Sequence, residues 1–457
     1  MAASVFDSAL HAGLFGDREA AALLSDSAEI RAMLLVEGEL ARAQGARGII
    51  PADSAEAIWR ASREVQIDPA ALAAETGCNG VAVPALVQAF RAAMQAPEHA
   101  QYVHRGATSQ DITDTALALR LRRIAALLEA RIRALLGRLG ALAEAHAGLP
   151  MAARSWGQVA TVTSFGAVVA SWGAPLLSHL DRLGQLRPRV FLVSLSGAAG
   201  TAAALGPQAA GLRADLAAAL GLGDPQRSWH SSRDGPAEFA GWLALVTGSL
   251  GKMGQDLQLM AQSGIEEVSL PGGGGSSTMP QKSNPVQPAL LVALAGHAAA
   301  LSGALQGAQV HALQRDGAAW MREWLALPQL CMAAARALSV AGELAAGLAP
   351  RPAEMERNIA ASRGTIFAEA LVFALAARMP RPQAQERVKE MCRQVGESGR
   401  PLAGIVAETF PGWDLSDVFS AGARLGAAPE EALAFARRAR ECGACAEARG
   451  GKGAREY

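Results

Sequence analysis

The sequence predicts an all-α protein built around a bundle of long helices. Apolar residues recur every three or four positions over long segments, which is the spacing of one helix face. Alternation of apolar and polar residues, typical of strands, is scarce, and residues 190–195 are its best example. Because the chain has 457 residues, it exceeds the size at which a single hydrophobic core usually stops growing, and we expect more than one domain.

The helix spacing predicts where the main helices begin and end. The first long helix is expected to start at Asp114, with that residue as its N-cap, and to stop at the turn 148–150. An earlier helix begins near Asp26, which resembles the start of a capping box. Further long helices are expected over residues 236–262 and 286–306.

These helices suggest three consecutive regions. Residues 1–110 are expected to form an N-terminal helical cap, and residues 111–350 a central long-helix bundle. Residues 351–457 should form a smaller C-terminal helical domain. The Gly- and Pro-containing segment 347–352 is the expected hinge before it.

Composition argues against several function classes. Lys+Arg and Asp+Glu both number 42, so the chain has no net charge, and nucleic-acid binding through phosphate neutralisation is not expected. The first residues do not resemble a signal peptide and the five cysteines are scattered, which favours a cytoplasmic protein. Residues 155–180 and 285–314 nearly lack charge, but small and polar residues dilute them. We interpret both as helices buried on all sides in a bundle that other subunits complete, not as membrane spans.

The most informative segment is the glycine-rich loop at residues 272–285, called the signature loop below. Its four glycines allow the backbone to open or close over a ligand. Ser276 and Ser277 provide hydroxyl groups. Lys282 provides a fixed positive charge, and Asn284 an amide that can hold a carboxylate. This composition suits a site that binds a small anion and moves a proton, whereas a flexible linker would not contain Met-Pro and Lys-x-Asn-Pro.

A second candidate segment, residues 102–111, comes directly before the first long helix. Thr108 and Ser109 lie near the expected N-terminus of that helix, where free backbone N–H groups and the helix dipole attract an anion. The alternative is an ordinary capping turn in which His104 is a polar residue without a function.

Both segments resemble the fumarase/aspartase superfamily. Residues 275–285 match its whole signature, G-S-S-x-M-P-x-K-x-N-P, and residues 104–111 match its H-x-G-x-T-S-x-D block. The resemblance implies that Ser276 is the catalytic base and that Lys282 and Asn284 contact a substrate carboxylate.

A third block departs from the usual pattern of the superfamily. Residues 154–158 stand where R-T-H-x-Q is common, and Trp156 replaces the histidine. In amine-eliminating members that histidine is linked to protonating the leaving nitrogen, whereas a carboxylate, with a pKa of about 4, leaves without a proton. Asn79 likewise replaces a histidine of adenylosuccinate lyases. Both replacements are similar to the bacterial 3-carboxy-cis,cis-muconate cycloisomerases, although Gln281 stands where those often have histidine.

Two further residues follow from the same likeness. Arg315 could pair with its neighbour Asp316, but its position in the family favours binding of a substrate carboxylate. We interpret His230, beside a tryptophan, as a structural residue. The substrate-binding residues that the resemblance implies are His104, Thr108, Ser109, Trp156, Gln158, Ser277, Lys282, Asn284 and Arg315.

The resemblance implies a homotetramer whose subunits share active sites that bind a small polycarboxylate. The favoured reaction is the intramolecular addition of a carboxylate to a double bond of 3-carboxy-cis,cis-muconate, which gives 4-carboxymuconolactone. No metal or organic cofactor is expected. The alternatives are a lyase that releases another good leaving group, such as nitrosuccinate lyase, then adenylosuccinate lyase, and a catalytically silent protein on the same scaffold.

Overall fold

The chain folds mainly into α-helices, as the sequence predicts. A computed structural model describes residues 4–275 and 278–450, the last of them, 443–450, by their backbone only. Within the described residues the strands are short, and the longest has 7 residues. The all-α class is therefore confirmed.

The chain divides into two compact units. The first comprises residues 1–130, 179–248 and 294–337, and the second comprises residues 131–178, 249–293 and 338–457. Each change of unit falls inside a long helix, so the division does not follow the three consecutive regions predicted above. Those regions remain a prediction of domain organisation.

The first unit begins with short helices that surround one long one. The helix predicted near Asp26 is present, but its N-cap is Ser25, whose Oγ accepts a hydrogen bond from the Ala28 amide at 3.2 Å. Buried Leu34 and Leu40 of this helix belong to the core of the unit, together with Phe90. The helices are α1 (Ala12–Phe15), α2 (Arg18–Leu24), α3 (Asp26–Ala46), α4 (Ala52–Glu64), α5 (Pro69–Asn79), α6 (Val83–Met94) and α7 (Pro97–Ala100).

The long helices follow, and three of them match the predicted segments closely. The start predicted at Asp114 is wrong, because the helix begins at Ser109 and Asp114 lies inside it, fully buried. A carboxylate close to the start of a helical pattern suggests a cap, but this one is held by an arginine that lies far away in the sequence. The helices are α8 (Ser109–Ala145), α9 (Phe165–Val190), α10 (Ala209–Leu220), α11 (Asp234–Ala261), α12 (Val286–Gly307) and α13 (Gly317–Gly347).

The two charge-free segments differ from their predicted form. In the first, residue 155 ends a strand, residues 156–157 are a turn, residues 158–164 are a second strand, and only residues 165–180 belong to α9. By length and composition α12 and α13 could each cross a membrane, and in α12 only 39% of the most apolar stretch is buried within this chain. Beyond α12, Val310 is 80% exposed. The segment 285–314 was predicted to be buried on all sides. The described residues of a single chain do not bury it in this way.

Within residues 4–275 and 278–450 the strands pair in three small antiparallel sheets. The strand predicted at residues 190–195 is wrong, because Val190 ends α9 and Leu192 forms only an isolated bridge with Gly223. The hairpin of β1 and β2 was not predicted, because its residues continue the apolar pattern of the adjacent helices. The strands are β1 (Pro150–Ser155), β2 (Gln158–Ser164), β3 (Val268–Ser269), β4 (Gly274–Gly275), β5 (Ser283–Asn284) and β6 (Ala349–Pro350).

The C-terminal part of the second unit has its own apolar core. Its buried side chains include Leu371, Val388 and Leu402, and Val162 of β2 contributes to the same cluster. The segment 347–352, predicted as a hinge, joins α13 to the next helix and contains β6. The helices are α14 (Pro352–Ala360), α15 (Ala368–Ala376), α16 (Arg381–Ser398), α17 (Leu402–Thr409) and α18 (Ala428–Gly450).

A buried charge network connects α8 to the rest of the first unit. Arg233 is 2% exposed and donates two hydrogen bonds to Asp114, at 2.7 and 3.0 Å. It donates two more to Glu323 of α13, at 2.8 and 2.6 Å. The Trp229 ring lies 4.7 Å from the guanidinium carbon. Since the two carboxylates outnumber the one cation, both depend on Arg233 for compensation.

Replacing Arg233 by methionine leaves both buried carboxylates without their cation. We expect the free energy of unfolding to fall by about 3–5 kcal/mol, the loss typical of a buried ion pair that is broken on one side. Urea unfolding followed by circular dichroism measures this change. In the control Arg393→Met, the arginine pairs with two exposed carboxylates of α16, and the midpoint should not move. An Arg233→Met protein as stable as wild type would contradict the assignment.

Candidate active site

The loop before α8 is held in place by hydrogen bonds from two helices. The Gln44 amide of α3 donates to the carbonyl of Arg105 at 2.7 Å. Arg91 of α6 donates to the carbonyl of Val103, also at 2.7 Å. Since these bonds use backbone acceptors, they fix the path of the loop whichever side chains it carries.

His104 occupies a constrained position in this loop. Its φ of 65° lies in the left-handed region, which residues other than glycine rarely adopt. Its Nδ1 is 2.7 Å from Oε1 of the buried Glu37 of α3. Burial lowers the pKa of His104, but the hydrogen bond to Glu37 and the charges of Glu37 and Asp111 outweigh it and raise the pKa above its ordinary value.

Asp111, in the first turn of α8, is the most highly coordinated carboxylate near the site. It is fully buried and accepts five hydrogen bonds, three of them from backbone amides. The bond from the Thr108 amide is one half of a capping box at the start of α8. The same Asp111 carboxylate also binds the loop at residues 194–197. Its donors are Thr108 N (3.0 Å), Ser194 Oγ (3.1 Å), Ser196 N (2.8 Å), Gly197 N (2.9 Å) and His230 Nε2 (2.8 Å).

The bond to Asp111 also defines the role of His230. This residue is 1% exposed and lies against the carboxylate, not against open solvent. The position agrees with the structural role interpreted from the sequence.

Arg315 and Thr108 come together although 207 positions separate them. Nη2 of Arg315 donates to Oγ1 of Thr108 at 3.1 Å, while its Nε is buried and makes no hydrogen bond within the described residues. The neighbour Asp316 is engaged elsewhere, since it accepts bonds from the amides of Ala318 and Ala319 and caps α13. A further hydrogen bond from the Ala312 amide, at 3.0 Å, is the largest cause that holds the pKa of Asp316 below its ordinary value, and the bonds from Ala319 and Ala318 add to it. The pairing of Arg315 with Asp316 is therefore not formed.

The first unit thus brings four of the predicted residues to one helix start. Thr108 and Ser109 stand at the N-terminus of α8, Arg315 contacts Thr108, and His104 lies in the same loop. Ser109 is half-buried, and its hydroxyl makes no hydrogen bond to a described residue. A helix N-terminus with an arginine, a histidine of raised pKa and two hydroxyls is suited to hold carboxylates.

Trp156 and Gln158 belong to the second unit and lie at the tip of a hairpin. Ser155 of β1 pairs with Gln158 of β2, and the two residues between them have positive φ angles, 55° for Trp156 and 75° for Gly157. This is the backbone of a type I′ turn, in which glycine is favoured. The Trp156 side chain is 100% exposed.

The hairpin is fixed to the second unit by Arg154, one position before its turn. Both Nη atoms of Arg154 donate to the carboxylate of Glu267 at 2.9 Å, and Glu267 is fully buried. Asn358 of α14 also donates to this carboxylate, at 3.0 Å. The arginine of the third block, Arg154, therefore holds the hairpin in place. Gln158, at the tip of the hairpin, is exposed and available to a ligand.

The signature loop forms a small hairpin of its own. Gly274 pairs with Asn284 and Gly275 pairs with Ser283. A Cβ atom at Gly273 would collide with Ser283 Oγ, and one at Gly274 would lie 2.7 Å from Val286 Cγ2. A side chain at either position would therefore displace Ser283 or Val286.

Of the candidates in this loop, Lys282 is exposed and Asn284 is half-buried. Ser276 and Ser277 lie outside the described residues. No hydrogen bond between described side chains joins Lys282 or Asn284 to Trp156 or Gln158. Among the same residues, no three His, Cys, Asp or Glu side chains gather in the manner of a metal site.

Two residues around the site were not predicted. Asp111 stands inside the matched H-x-G-x-T-S-x-D block, so the block itself was the signal for it. Glu37 belongs to no recognised motif, and its only signal is a carboxylate within a long apolar helix. The sequence does not show that Glu37 contacts His104, because the two residues are 67 positions apart.

Comparisons with known proteins, taken together with the geometry of the site, define the class of protein. A family described as lyase matches residues 14–299, and the chain belongs to it, within the fumarase/aspartase superfamily. The chain is 42% identical over 392 residues to a 3-carboxy-cis,cis-muconate cycloisomerase of Pseudomonas aeruginosa, covering 85% of each protein. The crystal structure of the 3-carboxy-cis,cis-muconate lactonizing enzyme of Pseudomonas putida matches with a TM-score of 0.90 at 33% identity, covering 95% of this chain and 100% of that one. A nitrosuccinate lyase of Streptomyces davaonensis is 32% identical over 446 residues, 93% of this chain and 94% of that protein. The resemblance found in the motifs is confirmed.

Asp111→Asn tests the coordination of this carboxylate. The amide has nearly the same shape, but its NH₂ group faces backbone N–H donors, so at least one of the five bonds is lost. We expect the free energy of unfolding to fall by about 2–3 kcal/mol. Hydrogen exchange should quicken in segments 102–108 and 194–197. The exposed Asp53→Asn is the control, and unchanged exchange in the Asp111 variant would refute the role.

Proposed function

We propose that this chain is a cycloisomerase that converts 3-carboxy-cis,cis-muconate to 4-carboxymuconolactone. The observation that carries the proposal is the 42% identity to such an enzyme over 85% of both chains. The site supports it, since Thr108, Ser109 and Arg315 form a carboxylate-binding group at the start of α8.

In the proposed reaction one carboxylate oxygen of the substrate attacks a carbon of a double bond. The new C–O bond closes the lactone ring, and the electron pair of the double bond moves to the adjacent carbon. This negative charge delocalises into a neighbouring carboxylate, and a proton then completes the addition. The acid forms of the substrate and the lactone are isomers. With all three carboxylates ionised, lactone formation takes up one proton, which water returns to the proton donor after each turnover.

The signature loop supplies the proton and stabilises the charge. Ser276 delivers the proton in the lactonising direction and removes it in reverse. Lys282, Asn284, the Ser277 hydroxyl and backbone N–H groups of the loop stabilise the delocalised charge when the loop closes on the substrate. The glycines that form β4 give the loop the freedom to close.

The remaining candidates hold the carboxylates that do not react. Arg315 and Thr108 act together, and Ser109 and His104 extend the same group. Gln158 and Trp156 contribute from the hairpin tip. Trp156 needs no acid function, because a carboxylate leaves in the reverse reaction without a proton.

A second candidate function is nitrosuccinate lyase. It is favoured by the relative that is 32% identical over 93% of this chain. Nitrite, like a carboxylate, leaves without being protonated, so Trp156 is compatible with both reactions. Product analysis separates them, since only the lyase releases fumarate.

The proposal includes the quaternary structure and the compartment. We expect a soluble, cytoplasmic homotetramer in which neighbouring subunits contribute segments to each active site. The low burial of α12 within a single chain supports a bundle that other copies complete.

The first experiment follows the diene absorbance of 3-carboxy-cis,cis-muconate with purified wild type and variants. Ser276→Ala should lower kcat by about 10²–10⁴-fold, the usual contribution of general acid–base catalysis. Lys282→Met should raise KM and lower kcat, because charge stabilisation and carboxylate binding are both lost.

The matched control is Lys389→Met, which removes an exposed lysine of α16 and should keep wild-type kinetics. Full activity of Ser276→Ala would reject the assigned proton donor. Wild type that leaves the absorbance unchanged would reject the substrate, and fumarate release from nitrosuccinate would then support the second function.

Shared active sites predict complementation between inactive variants. When Ser276→Ala and Arg315→Met are co-expressed with different affinity tags, mixed tetramers should contain some sites with both residues intact. We expect the doubly purified protein to regain a measurable fraction of wild-type kcat, although each parent is nearly inactive. Light scattering should give four subunits. Mixed tetramers no more active than their parents would show that each subunit builds its own site.

A further inference from the structure

Glu37 is a buried carboxylate whose only polar partner among the described residues is His104. It lies on α3 with 1% of its surface exposed, and its Oε1 is 2.7 Å from the histidine Nδ1. Its second oxygen, Oε2, is buried and accepts no hydrogen bond within the described residues. A buried charge with half of its hydrogen-bonding capacity unused costs stability. A role in the function of His104 accounts for this cost.

The surroundings of His104 favour one arrangement of its ring. With Nδ1 bound to Glu37, the nitrogen left for a ligand is Nε2, which makes no hydrogen bond within the described residues. The side chain is 20% exposed, so the ring is not sealed in the core. The left-handed backbone at His104 is held by the fixed loop, and such strain is concentrated at functional sites.

We propose that Glu37 is a positioning residue that keeps His104 as an imidazolium and directs its Nε2–H to a substrate carboxylate. The substrate identity rests on the proposed function, and the pairing itself does not. Three charged groups face the imidazole, one from each packed helix: Glu37 from α3, Arg91 from α6 and Asp111 from α8. Arg91 opposes the protonated form, and Asp111 is already satisfied by five donors. Glu37 is therefore the group that directly bonds the ring and decides its charge.

Holding the imidazolium adds a second cation to the group formed by Arg315 and Thr108. A substrate with three carboxylates needs several positive partners, and a charged N–H bonds a carboxylate more strongly than a neutral one does. The effect is on binding, since Glu37 does not touch the reacting atoms. KM should therefore change much more than kcat.

The test is Glu37→Gln, assayed with 3-carboxy-cis,cis-muconate from about pH 6 to about pH 9, across the ordinary histidine pKa of about 6.5. In wild type the raised pKa of His104 keeps KM low until the pH passes that raised value. In the variant, burial and Arg91 lower the pKa, so KM should rise at lower pH. At slightly alkaline pH we expect KM to be about tenfold higher than in wild type, with kcat within about twofold.

Glu39→Gln is the matched control. Glu39 lies on the same helix, is 4% exposed, and accepts bonds from Trp59 and Arg63, each at 2.9 Å. Its loss should cost comparable stability and leave the pH dependence of KM unchanged. In the background His104→Gln, Glu37→Gln should have no further effect on KM, since the two residues act as one unit. Equal pH profiles for wild type and Glu37→Gln, or additive effects in the double variant, would overturn the proposal.

A measurement without substrate separates this proposal from the proposed function. The chain has 8 histidines, and in protein labelled with ¹³C-histidine the His104 signal is assigned by its absence in His104→Gln. Its titration midpoint should lie above the ordinary histidine value in wild type and fall in Glu37→Gln. If no muconate is turned over but the midpoint shifts, the pairing holds and the substrate is wrong. An unshifted midpoint would refute the pairing whatever the activity.

Discussion

The buried carboxylate of Asp111 is the constraint on which the first part of the site depends. It joins the start of α8 to the loop 194–197 and to His230, using donors from three separate segments. Because it accepts backbone amides, it fixes the positions of main-chain atoms, and Thr108 and Ser109 are positioned as a consequence. A buried acceptor of this kind is stabilised best when all of its donors are present, so the three segments reinforce one another.

The first two turns of α8 divide structural and functional roles between neighbouring residues. Asp111 and Asp114 point into the protein and are satisfied by His230 and Arg233. Thr108 and Ser109 are only half-buried and remain available to a ligand. The same division occurs in the third block, where Arg154 is bound to Glu267 and Gln158 is exposed. A motif shared across a superfamily therefore contains residues that build the scaffold as well as residues that meet the substrate.

The reaction class follows from which residues of the superfamily motifs this chain retains and which of them it replaces. The signature loop retains serine, lysine and asparagine, the residues to which the proposed function assigns proton transfer and charge stabilisation. The exchange of histidine for Trp156 removes a group that is needed when the leaving atom must be protonated. It places a fully exposed aromatic ring on a tight turn, where a substrate or a neighbouring subunit can cover it.

The sequence by itself determined the helical class, the approximate extents of α8, α11 and α12, and the family, because helix periodicity and short motifs are local. It placed the start of α8 at Asp114 and a strand at 190–195, and both were wrong, since a local pattern cannot show Arg233 bonding Asp114 or α9 continuing to Val190. Only the tertiary structure showed that Arg315 bonds Thr108, that Asp316 caps a helix, and that Glu37 holds His104. Arg315 and Thr108 are distant in the sequence, as are Glu37 and His104, whereas Asp316 lies beside Arg315 and could have paired with it. Packing alone decides which of these contacts forms.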